Sequence, residues 1–210
     1  PNHKYITTEE NPRLRADNVD YPCVLKPLNL SASQGVIRAN NQTEFVTAFE
    51  RIKALLLDND SRTKNKILIE DYIEGEEVAL EGLMVNGRLT MLALFDKPDP
   101  LEGPYFEETI YITPSRKSIE IQNSIRNMAE QAANSIGLKE GPLHIELRLH
   151  PNTRTSNKTG PYVIDMAARS IGGLCSRSLQ FSDGLTLEDI ILHHAIGKPI
   201  ETNRENKASG

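Results

Sequence analysis

Two carboxylates and an arginine toward the C-terminal end of the chain have types and spacing that could perform chemistry. Residues 143–149 alternate strictly between apolar and polar side chains, which predicts a strand with one buried face, and Glu146 lies within it. Residues 162–167 predict a second strand, and pairing of the two strands as a hairpin would bring Asp165 onto the face of Glu146. Two close carboxylates repel each other unless a cation lies between them, and oxygen ligands favour magnesium or manganese together with nucleotide phosphates. Arg169 could bind a phosphoryl group or a carboxylate.

The same residues have a simpler interpretation. A glutamate and an aspartate on strands are most often solvated surface groups without a ligand, and their spacing alone does not choose between the two interpretations. Gly172 and Gly173 follow the arginine, and the absence of side chains there would let a ligand approach the backbone closely.

Composition excludes several classes of partner. The net charge of -5 and the lack of a basic stripe argue against nucleic acid, and the longest apolar run is far too short to cross a membrane. The two cysteines, Cys23 and Cys175, have no paired spacing, which favours a reduced, cytoplasmic protein over a disulfide scaffold. A chain of 210 residues can form one large domain or two small ones, each with its own core.

A second candidate site lies near the N-terminal end. Residues 21–27 predict a short strand that ends with Lys26, and a loop rich in small and hydroxyl-bearing residues follows over 31–35. Backbone amides of such a loop can surround a phosphate. The alternative is a surface lysine and an ordinary hairpin between Val24 and Val36.

The remaining elements are predicted from periodicity and capping signals. Asn41 and Glu44 indicate the start of a helix, with a core stripe of Phe45, Phe49, Ile52 and Leu56. A second helix is predicted over 115–136, with a core stripe of Ile121, Ile125, Met128, Ala132 and Ile136. Thr186 caps a last helix through Ile196.

Further strands complete the prediction. Strands are expected over 67–73, over 77–85 and 88–95 around the turn at Asn86-Gly87, and over 106–111, whereas the first 20 residues are expected to be polar and turn-rich. Helices and hairpins mixed in this order favour an α+β fold over a doubly wound parallel sheet.

Taken together, these motifs resemble the ATP-grasp superfamily and, within it, the carboxylate-amine ligases of the L-amino-acid ligase type. The resemblance extends over residues 1–198 and rests on four motifs in the right order and spacing. It implies an ATP-grasp fold of two α+β subdomains, with mostly antiparallel sheets that grip ATP between them. The small subdomain would span 1–73 and the large one 74–200, and a disordered tail would follow over 201–210.

The resemblance also implies roles for individual residues. Those expected to bind ATP are Lys26, Ser31, Ser33, Gln34, Gly35, Glu70, Asp71, Tyr72, Ile73 and Glu77. Lys26 and the loop 31–35 would contact phosphates, Glu70 and the next three residues would hold adenine, and Glu77 would bind the ribose hydroxyls. Magnesium or manganese would be held by Glu146 and Asp165, while Arg169 and Lys26 would act as catalytic residues. The substrate-binding residues would be Glu108, His144, Gly172 and Gly173.

The sequence departs from the family pattern at three points. Asp165 stands where the family usually has glutamate, and Ala167 stands where it often has a metal-binding asparagine. The N-terminal domain of these enzymes, with its first phosphate lysine, is missing from this chain. We therefore expect the chain to be the ATP-grasp portion of a longer enzyme and to be inactive alone.

The expected activity is ADP-forming ligation of a small-molecule carboxylate to an amine through an acyl phosphate, on amino-acid-like substrates. The resemblance also implies a homodimer, since many relatives are dimers. One alternative is an ATP-grasp enzyme with a different nucleophile, of the biotin-carboxylase or purine-synthesis kind. The other is a non-catalytic nucleotide-binding module, which the shortened Asp165 and the missing ligand at Ala167 leave open.

Overall fold

A computed structural model describes residues 2–58, 66–107, 109–150 and 160–199. The chain divides into two compact units. Unit 1 consists of Pro1–Glu74 and Pro100–Thr109, and unit 2 consists of Gly75–Asp99 and Ile110–Gly210. The segment 100–109 thus packs with the N-terminal unit, although the sequence division assigned it to the large subdomain.

Unit 1 is built on a four-stranded antiparallel sheet. Its strands are β1 (His3–Thr7), β2 (Cys23–Pro27), β3 (Ile37–Ala39) and β4 (Lys66–Asp71), in the order β1-β4-β2-β3. Strand β1 and the short helix α1 (Pro12–Ala16) lie in the region expected to be polar and turn-rich, and neither element was predicted. The strand gave no alternating signal because Ile6 is its only buried residue.

Helix α2 (Gln42–Asp58) covers this sheet and confirms the predicted stripe. Phe45, Phe49, Ile52 and Leu56 are all fully buried in the core of unit 1. The helix starts where the capping pattern placed it, because the Asn41 side chain accepts the Glu44 N–H at 3.0 Å.

Unit 2 is built on a second four-stranded antiparallel sheet. Its strands are β5 (Glu76–Val85), β6 (Arg88–Lys97), β7 (Gly141–His150) and β8 (Gly160–Ala167), in the order β6-β5-β7-β8. The predicted hairpin turn between β5 and β6 is confirmed. Asn86 and Gly87 both have positive φ angles, of 50° and 75°, as a two-residue turn of the type I′ kind requires.

One face of the unit 2 sheet packs against helix α3 (Ile119–Ser135), through Val78, Leu80 and Leu143 among others. The predicted core stripe of this helix was only partly right. Ile125 is buried, but Ile121 and Ile136 are 40% and 65% exposed, and the buried stripe runs instead through Ala129 and Ala133. Small residues four apart form this stripe, so the larger apolar residues beside it misled the prediction.

Helix α3 also starts later than predicted. Ser118 is its N-cap, and the preceding residues are held outside the helix by the Asp96 carboxylate. That carboxylate accepts the Ser115 hydroxyl at 2.6 Å and the Arg116 N–H at 2.8 Å. A distant side chain therefore fixes the boundary, which local sequence cannot reveal.

The predicted strand over 106–111 was wrong for the part of it that the structure describes. Residues 105–107 and 109–112 contain only isolated bridges, from Tyr105 to Ile37 and from Ile112 to Asp96. The two bridges lie in different units, because the chain passes from unit 1 to unit 2 after Thr109. This crossing explains why the described residues of the segment 106–111 form no continuous ladder, although several of them favour strands.

The other face of the unit 2 sheet packs against the C-terminal part of the chain. Helix α4 (Leu187–Ala195) begins with a capping box between Thr186 and Asp189, as the sequence predicted for Thr186. Leu187 and Ile190 of this helix join Ala79 and Phe95 in a separate core cluster. None of the helices in the described parts of the chain is long and apolar enough to cross a membrane.

Candidate functional site

A row of charged side chains lies on the face of the unit 2 sheet that points away from α3. The strand registers set this row, because residues opposite each other on neighbouring strands share a face. Glu77 is opposite both Lys97 and Arg148, Glu81 is opposite His144, and Glu146 is opposite Asp165. The sequence predicted the pairing of the two strands that carry Glu146 and Asp165, and the structure confirms that register.

Lys97 is the centre of the row. Its ammonium lies 2.7 Å from Glu77 Oε1 and 2.7 Å from Glu146 Oε1, and only 2% of its side chain is exposed. Arg148 contacts the second oxygen of Glu77 through both Nε and Nη2 at 3.1 Å. A cation that belongs to the chain itself therefore lies between Glu77 and Glu146.

Sequence reasoning missed Lys97. The predicted strand ended at Phe95, two residues short of the observed end of β6. Strand β6 continues through Asp96 and Lys97, which are both buried. A lysine that follows an apolar strand and faces an acidic run on its hairpin partner is a signal that could have found it.

His144 and Glu81 continue the row into the protein interior. The His144 Nδ1 hydrogen-bonds to Glu81 Oε1, and the second ring nitrogen lies 3.6 Å from Glu146 Oε1. His144 is only 5% exposed, and each of its two ring nitrogens lies beside a carboxylate. His144 therefore supports Glu146 in this structure, and its expected contact with substrate stays a prediction.

Burial and neighbouring charges shift the pKa values in this row. Burial would lower the pKa of His144, but hydrogen bonds and charges from Glu146 and Glu81 outweigh it and raise the pKa to about 9. Burial would raise the pKa of Glu146, yet the hydrogen bond from His144 and the charge of Lys97 hold it at about 2. Burial dominates for Glu81 and raises its pKa. We therefore expect His144 to be an imidazolium and Glu146 a carboxylate at neutral pH.

Asp165 lies at the edge of the row and is exposed. No group of three or more His, Cys, Asp or Glu side chains that could hold a metal is found among the residues described. Two opposed carboxylates are, however, the share that a protein commonly gives to magnesium, which keeps water and substrate phosphates as its other ligands. Glu146 and Asp165 therefore fit a magnesium ion that is carried by a nucleotide.

The loop after β8 holds Arg169, Gly172 and Gly173. Arg169 is exposed, and its Nη1 donates to the Ser170 carbonyl at 2.8 Å. Glu81 Oε2 accepts the Ile171 N–H at 2.9 Å, which fixes the middle of the loop. A Cβ added to either glycine would meet nothing within 4 Å, so open space adjoins the backbone there. Phosphate binding by the arginine and close approach of a ligand to the glycines are both compatible with this geometry.

Unit 1 contains the other set of candidate residues. Lys26 on β2 and Glu70 on β4 form an ion pair at 2.7 Å, with 19% and 17% of their side chains exposed. Asp71 makes two hydrogen bonds with Asn2: its N–H donates to the Asn2 carbonyl, and its Oδ2 accepts the Asn2 N–H. The Tyr72 N–H donates to the Pro22 carbonyl at 3.1 Å. Hydrogen bonds to Asn2 and Pro22 therefore hold Asp71 and Tyr72 of the proposed adenine-binding segment in place.

Two further features flank this segment. The Arg38 guanidinium lies 3.9 Å from the centre of the Tyr72 ring, which fixes the side chain by a cation-π contact. The loop 31–35 connects β2 to β3, and its two internal backbone bonds run from Gln34 to Ser31 and from Val36 to Ser33. Its first four side chains, those of Ser31, Ala32, Ser33 and Gln34, are exposed. The hairpin and the candidate phosphate loop are thus the same structure. Glu108, the remaining expected substrate residue, lies outside the described residues.

A protein-family model described as an ATP-grasp domain matches residues 19–178, about three quarters of the chain. The chain belongs to this ATP-grasp family. The match includes every residue of the charged row as well as Lys26, Glu70 and the loop 31–35. The α+β fold expected from the sequence is confirmed, since both units combine antiparallel sheets with helices.

The relatives of this chain include several ligases. It is 26% identical over 206 residues to alanine–anticapsin ligase of Bacillus subtilis (strain 168), covering 90% of this chain and 42% of the relative. It is 28% identical to the L-amino acid ligase of Bacillus licheniformis, a crystal structure that it matches with a TM-score of 0.76 over 97% of this chain and 49% of that one. A synthetase for N5-carboxyaminoimidazole ribonucleotide, solved with ADP, has a TM-score of 0.72 at 14% identity, with 97% of this chain and 49% of that one covered, and shows the fold alone. The chain spans about half the length of these proteins.

Proposed function

We propose that the chain provides the ATP-binding and catalytic part of an ADP-forming ligase, which joins a carboxylate to an amine on amino-acid-like substrates. The observation that carries this proposal is the likeness to the L-amino acid ligase structure, with 28% identity over nearly the whole chain. The nucleotide-precursor synthetase has almost the same TM-score but half the sequence identity. Fold alone therefore does not separate the two activities, and the identity favours amino-acid ligation.

In this proposal, unit 2 holds the metal and the ribose. Glu146 and Asp165 would hold magnesium, which would supply charge neutralisation at the transferred phosphoryl group. Arg169 lies on the loop after β8 and would bind a phosphate. Glu77 would accept the ribose hydroxyls while it keeps its ion pairs, because an ionised carboxylate has about four lone-pair sites and its bonds to Lys97 and Arg148 do not use them all.

The positive charges of Lys97 and His144 affect the order in which magnesium and ATP bind. Lys97 and His144 already compensate the charge of Glu146, so little negative charge remains to attract a bare divalent ion. A metal that arrives on ATP phosphates brings additional ligands with it. We therefore expect magnesium to bind well only together with the nucleotide.

Unit 1 would contribute the residues that contact phosphates and adenine. Lys26 and the loop 31–35 would contact the phosphates, and Glu70 with the following residues through Ile73 would hold the base. The anchoring of Asp71 and Tyr72 to Asn2 and Pro22 supports a rigid base-binding segment. Glu70 is partly exposed, so its carboxylate can reach the base amino group when its ion pair with Lys26 opens.

The reaction needs positioning more than covalent assistance. A substrate carboxylate oxygen attacks the γ-phosphorus of ATP, the bond to the β-γ bridging oxygen breaks, and ADP leaves with an acyl phosphate formed. The amine then attacks the acyl carbon, phosphate leaves, and the nitrogen loses a proton. Lys26 and Arg169 would compensate the charge that develops on the phosphoryl group, and each could lower the barrier by about 2 to 4 kcal/mol.

The test is to trap the acyl phosphate in the full-length protein. With magnesium, ATP and a mixture of amino acids, added hydroxylamine should intercept the intermediate as a hydroxamate, and the ADP formed should equal the hydroxamate and the amide product together. Stimulation by bicarbonate without hydroxamate would instead support the carboxylase-like alternative. Nucleotide binding without any ADP formation would support a non-catalytic module, which the compensated charge of Glu146 and the alanine at 167 favour as the second candidate.

A further inference from the structure

Glu81 is a buried carboxylate to which the proposed reaction assigns no role. It lies on β5 with only 1% of its surface exposed. Its two oxygens have different partners, since Oε1 bonds the His144 ring and Oε2 accepts the Ile171 N–H at 2.9 Å. An ordinary core position in this strand would hold an apolar residue, because burial of a carboxylate is unfavourable unless its partners compensate the lost water.

The two partners of Glu81 lead to two different parts of the candidate site. The far nitrogen of His144 lies 3.6 Å from Glu146 Oε1, so the Glu81 bond fixes the ring that faces the proposed metal carboxylate. Ile171 stands two residues after Arg169 and directly before Gly172, so the same carboxylate fixes the loop that carries the proposed phosphate arginine. A single side chain thus links β7 to the loop after β8.

Packing strengthens the link on the side of the loop. The Ile171 side chain is 8% exposed and belongs to the apolar cluster that includes Phe95 and Phe181. On either side of this anchor the loop is open, since Arg169 and Gly172 are exposed. The backbone bond to Glu81 is therefore placed where it can determine how the exposed residues are presented.

We propose that Glu81 is a positioning residue for the ligase reaction: through Ile171 and His144 it orders the Arg169 loop and the Glu146 side chain before nucleotide binds. This inference rests on the proposed function. It differs from a purely structural role because the loss of Glu81 should affect the two sides of the phosphate site more than it affects the sheet.

The chain offers a matched control. Glu130 on α3 also accepts a backbone N–H of the same sheet, that of Leu89, at 2.7 Å, but it lies on the opposite face from the charged row. The variants Glu81→Ala and Glu130→Ala therefore remove the same kind of bond from one unit. Glu81→Gln replaces the carboxylate acceptor of Ile171 by a neutral amide oxygen, so smaller effects in the same direction are expected. This milder variant carries the test if Glu81→Ala does not fold.

The first measurement is amide hydrogen exchange in the absence of nucleotide and metal. Glu81→Ala should speed the exchange at Ile171 by about ten-fold or more, as expected for loss of a hydrogen bond to a charged acceptor. Glu130→Ala should speed exchange at Leu89 and leave Ile171 unchanged. Equal protection of Ile171 in the parent and in both Glu81 variants would overturn the inference.

The second measurement is the affinity of the full-length protein for a non-hydrolysable ATP analogue with magnesium. Glu81→Ala should weaken it by about ten-fold, and the effect should be smaller in an Arg169→Met background, because part of it acts through the position of Arg169. Glu130→Ala should bind as the parent does. If the parent and the Glu81 variants bind the analogue equally well, this inference alone is overturned. The same holds if the losses of affinity in Glu81→Ala and Arg169→Met add fully in the double variant. A parent that binds no analogue overturns the proposed function and this inference with it.

Discussion

Two lysines, one in each unit, contact glutamates at the same distance but in different surroundings. Lys26 and Glu70 of unit 1 are 2.7 Å apart with 19% and 17% of their side chains exposed. Lys97 of unit 2 lies at the same distance from both Glu77 and Glu146, but only 2% of its side chain is exposed. Distance alone therefore does not tell how firmly a charge is held. Burial does, because water and salt screen an exposed pair and hardly reach a buried one.

The difference indicates two kinds of use. The ion pair of unit 1 can exchange one partner for a phosphate or a base at little cost, since water can replace the lost contact. Without Lys97, the mostly buried carboxylates of Glu77 and Glu146 would lose the cation that they share, and Arg148 and His144 would compensate their charge only in part. We therefore expect the Lys26–Glu70 ion pair to open when nucleotide binds. We expect the charged row of unit 2 to keep its ion pairs and to hold Glu146 in the same position before and after binding.

The largest effect is expected from Lys97→Met. This variant keeps the volume of the side chain but removes the cation from Glu77 and Glu146, so we expect the free energy of unfolding to fall by about 3 to 5 kcal/mol. Urea unfolding followed by circular dichroism measures it, since the chain has no tryptophan to report by fluorescence. Lys117→Met is the matched control, because Lys117 pairs in the same unit with Glu76, whose side chain is 70% exposed. A loss no greater than that of the control would contradict the comparison.

A second effect should appear in the dependence of stability on pH. Glu81 and Glu146 raise the pKa of His144 to about 9 in the folded chain, above its usual 6.5. The folded state then binds more protons than the unfolded state between these values. The resulting stability is fully present below pH 6.5 and is lost as pH rises through about 9, on the order of 3 kcal/mol.

Urea unfolding in metal-free buffer at pH 6.5 and pH 9 measures this loss. His144→Gln serves as the control, because a side chain that does not titrate should flatten the profile across this window. An equally steep decline in both proteins would show that His144 is not the group responsible.

A smaller effect is expected from Lys26→Met in unit 1. Loss of a partly exposed ion pair should reduce stability by about 1 kcal/mol. The affinity for the ATP analogue should nevertheless fall by about ten-fold or more, because Lys26 is proposed to contact phosphates. Thermal unfolding and calorimetric titration on the same preparation give both values. A large loss of stability with unchanged affinity would reverse the roles that we assign to the two lysines.

The smallest effect on stability is expected from Asp165→Asn. Asp165 is exposed, so the substitution should change the free energy of unfolding by less than about 0.5 kcal/mol. It should still reduce magnesium-dependent binding of the analogue, because an amide is a poorer ligand for magnesium than a carboxylate. Affinity equal to that of the parent, with magnesium present, would remove Asp165 from the proposed metal site.

The elements that sequence predicted well are those with a strong local signal. Helix α2 has four large apolar residues on one stripe and a side-chain cap, and the hairpin at Asn86-Gly87 has the turn residues that its geometry requires. Where the signal depended on distant partners, prediction failed. Strand β1 has a single buried residue, and the start of α3 is set by Asp96, which lies 22 residues before its N-cap Ser118.

The candidate site shows the same division. Glu146 and Asp165 could be paired because an alternating segment and a second predicted strand are joined by a loop, as in a hairpin. Glu81 could not, because its partners His144 and Ile171 lie 63 and 90 positions away along the chain. Lys97 was missed although one partner, Glu77, lies on its own hairpin, 20 positions away, while its other partner, Glu146, lies 49 positions away. Glu81 and Lys97 both stand in strands dominated by apolar residues, where a single charge looks like an exception until the sheet brings its partners together.

The most direct test of the account is calorimetric titration of the chain with a non-hydrolysable ATP analogue, with and without magnesium, on the parent, Glu146→Gln and Glu130→Gln. Magnesium alone should give little heat in any of the three proteins. The parent and Glu130→Gln should bind the analogue more tightly with magnesium, and Glu146→Gln should lose most of that gain. Binding that is equal in all three proteins, with or without magnesium, would contradict the placement of the metal site at Glu146.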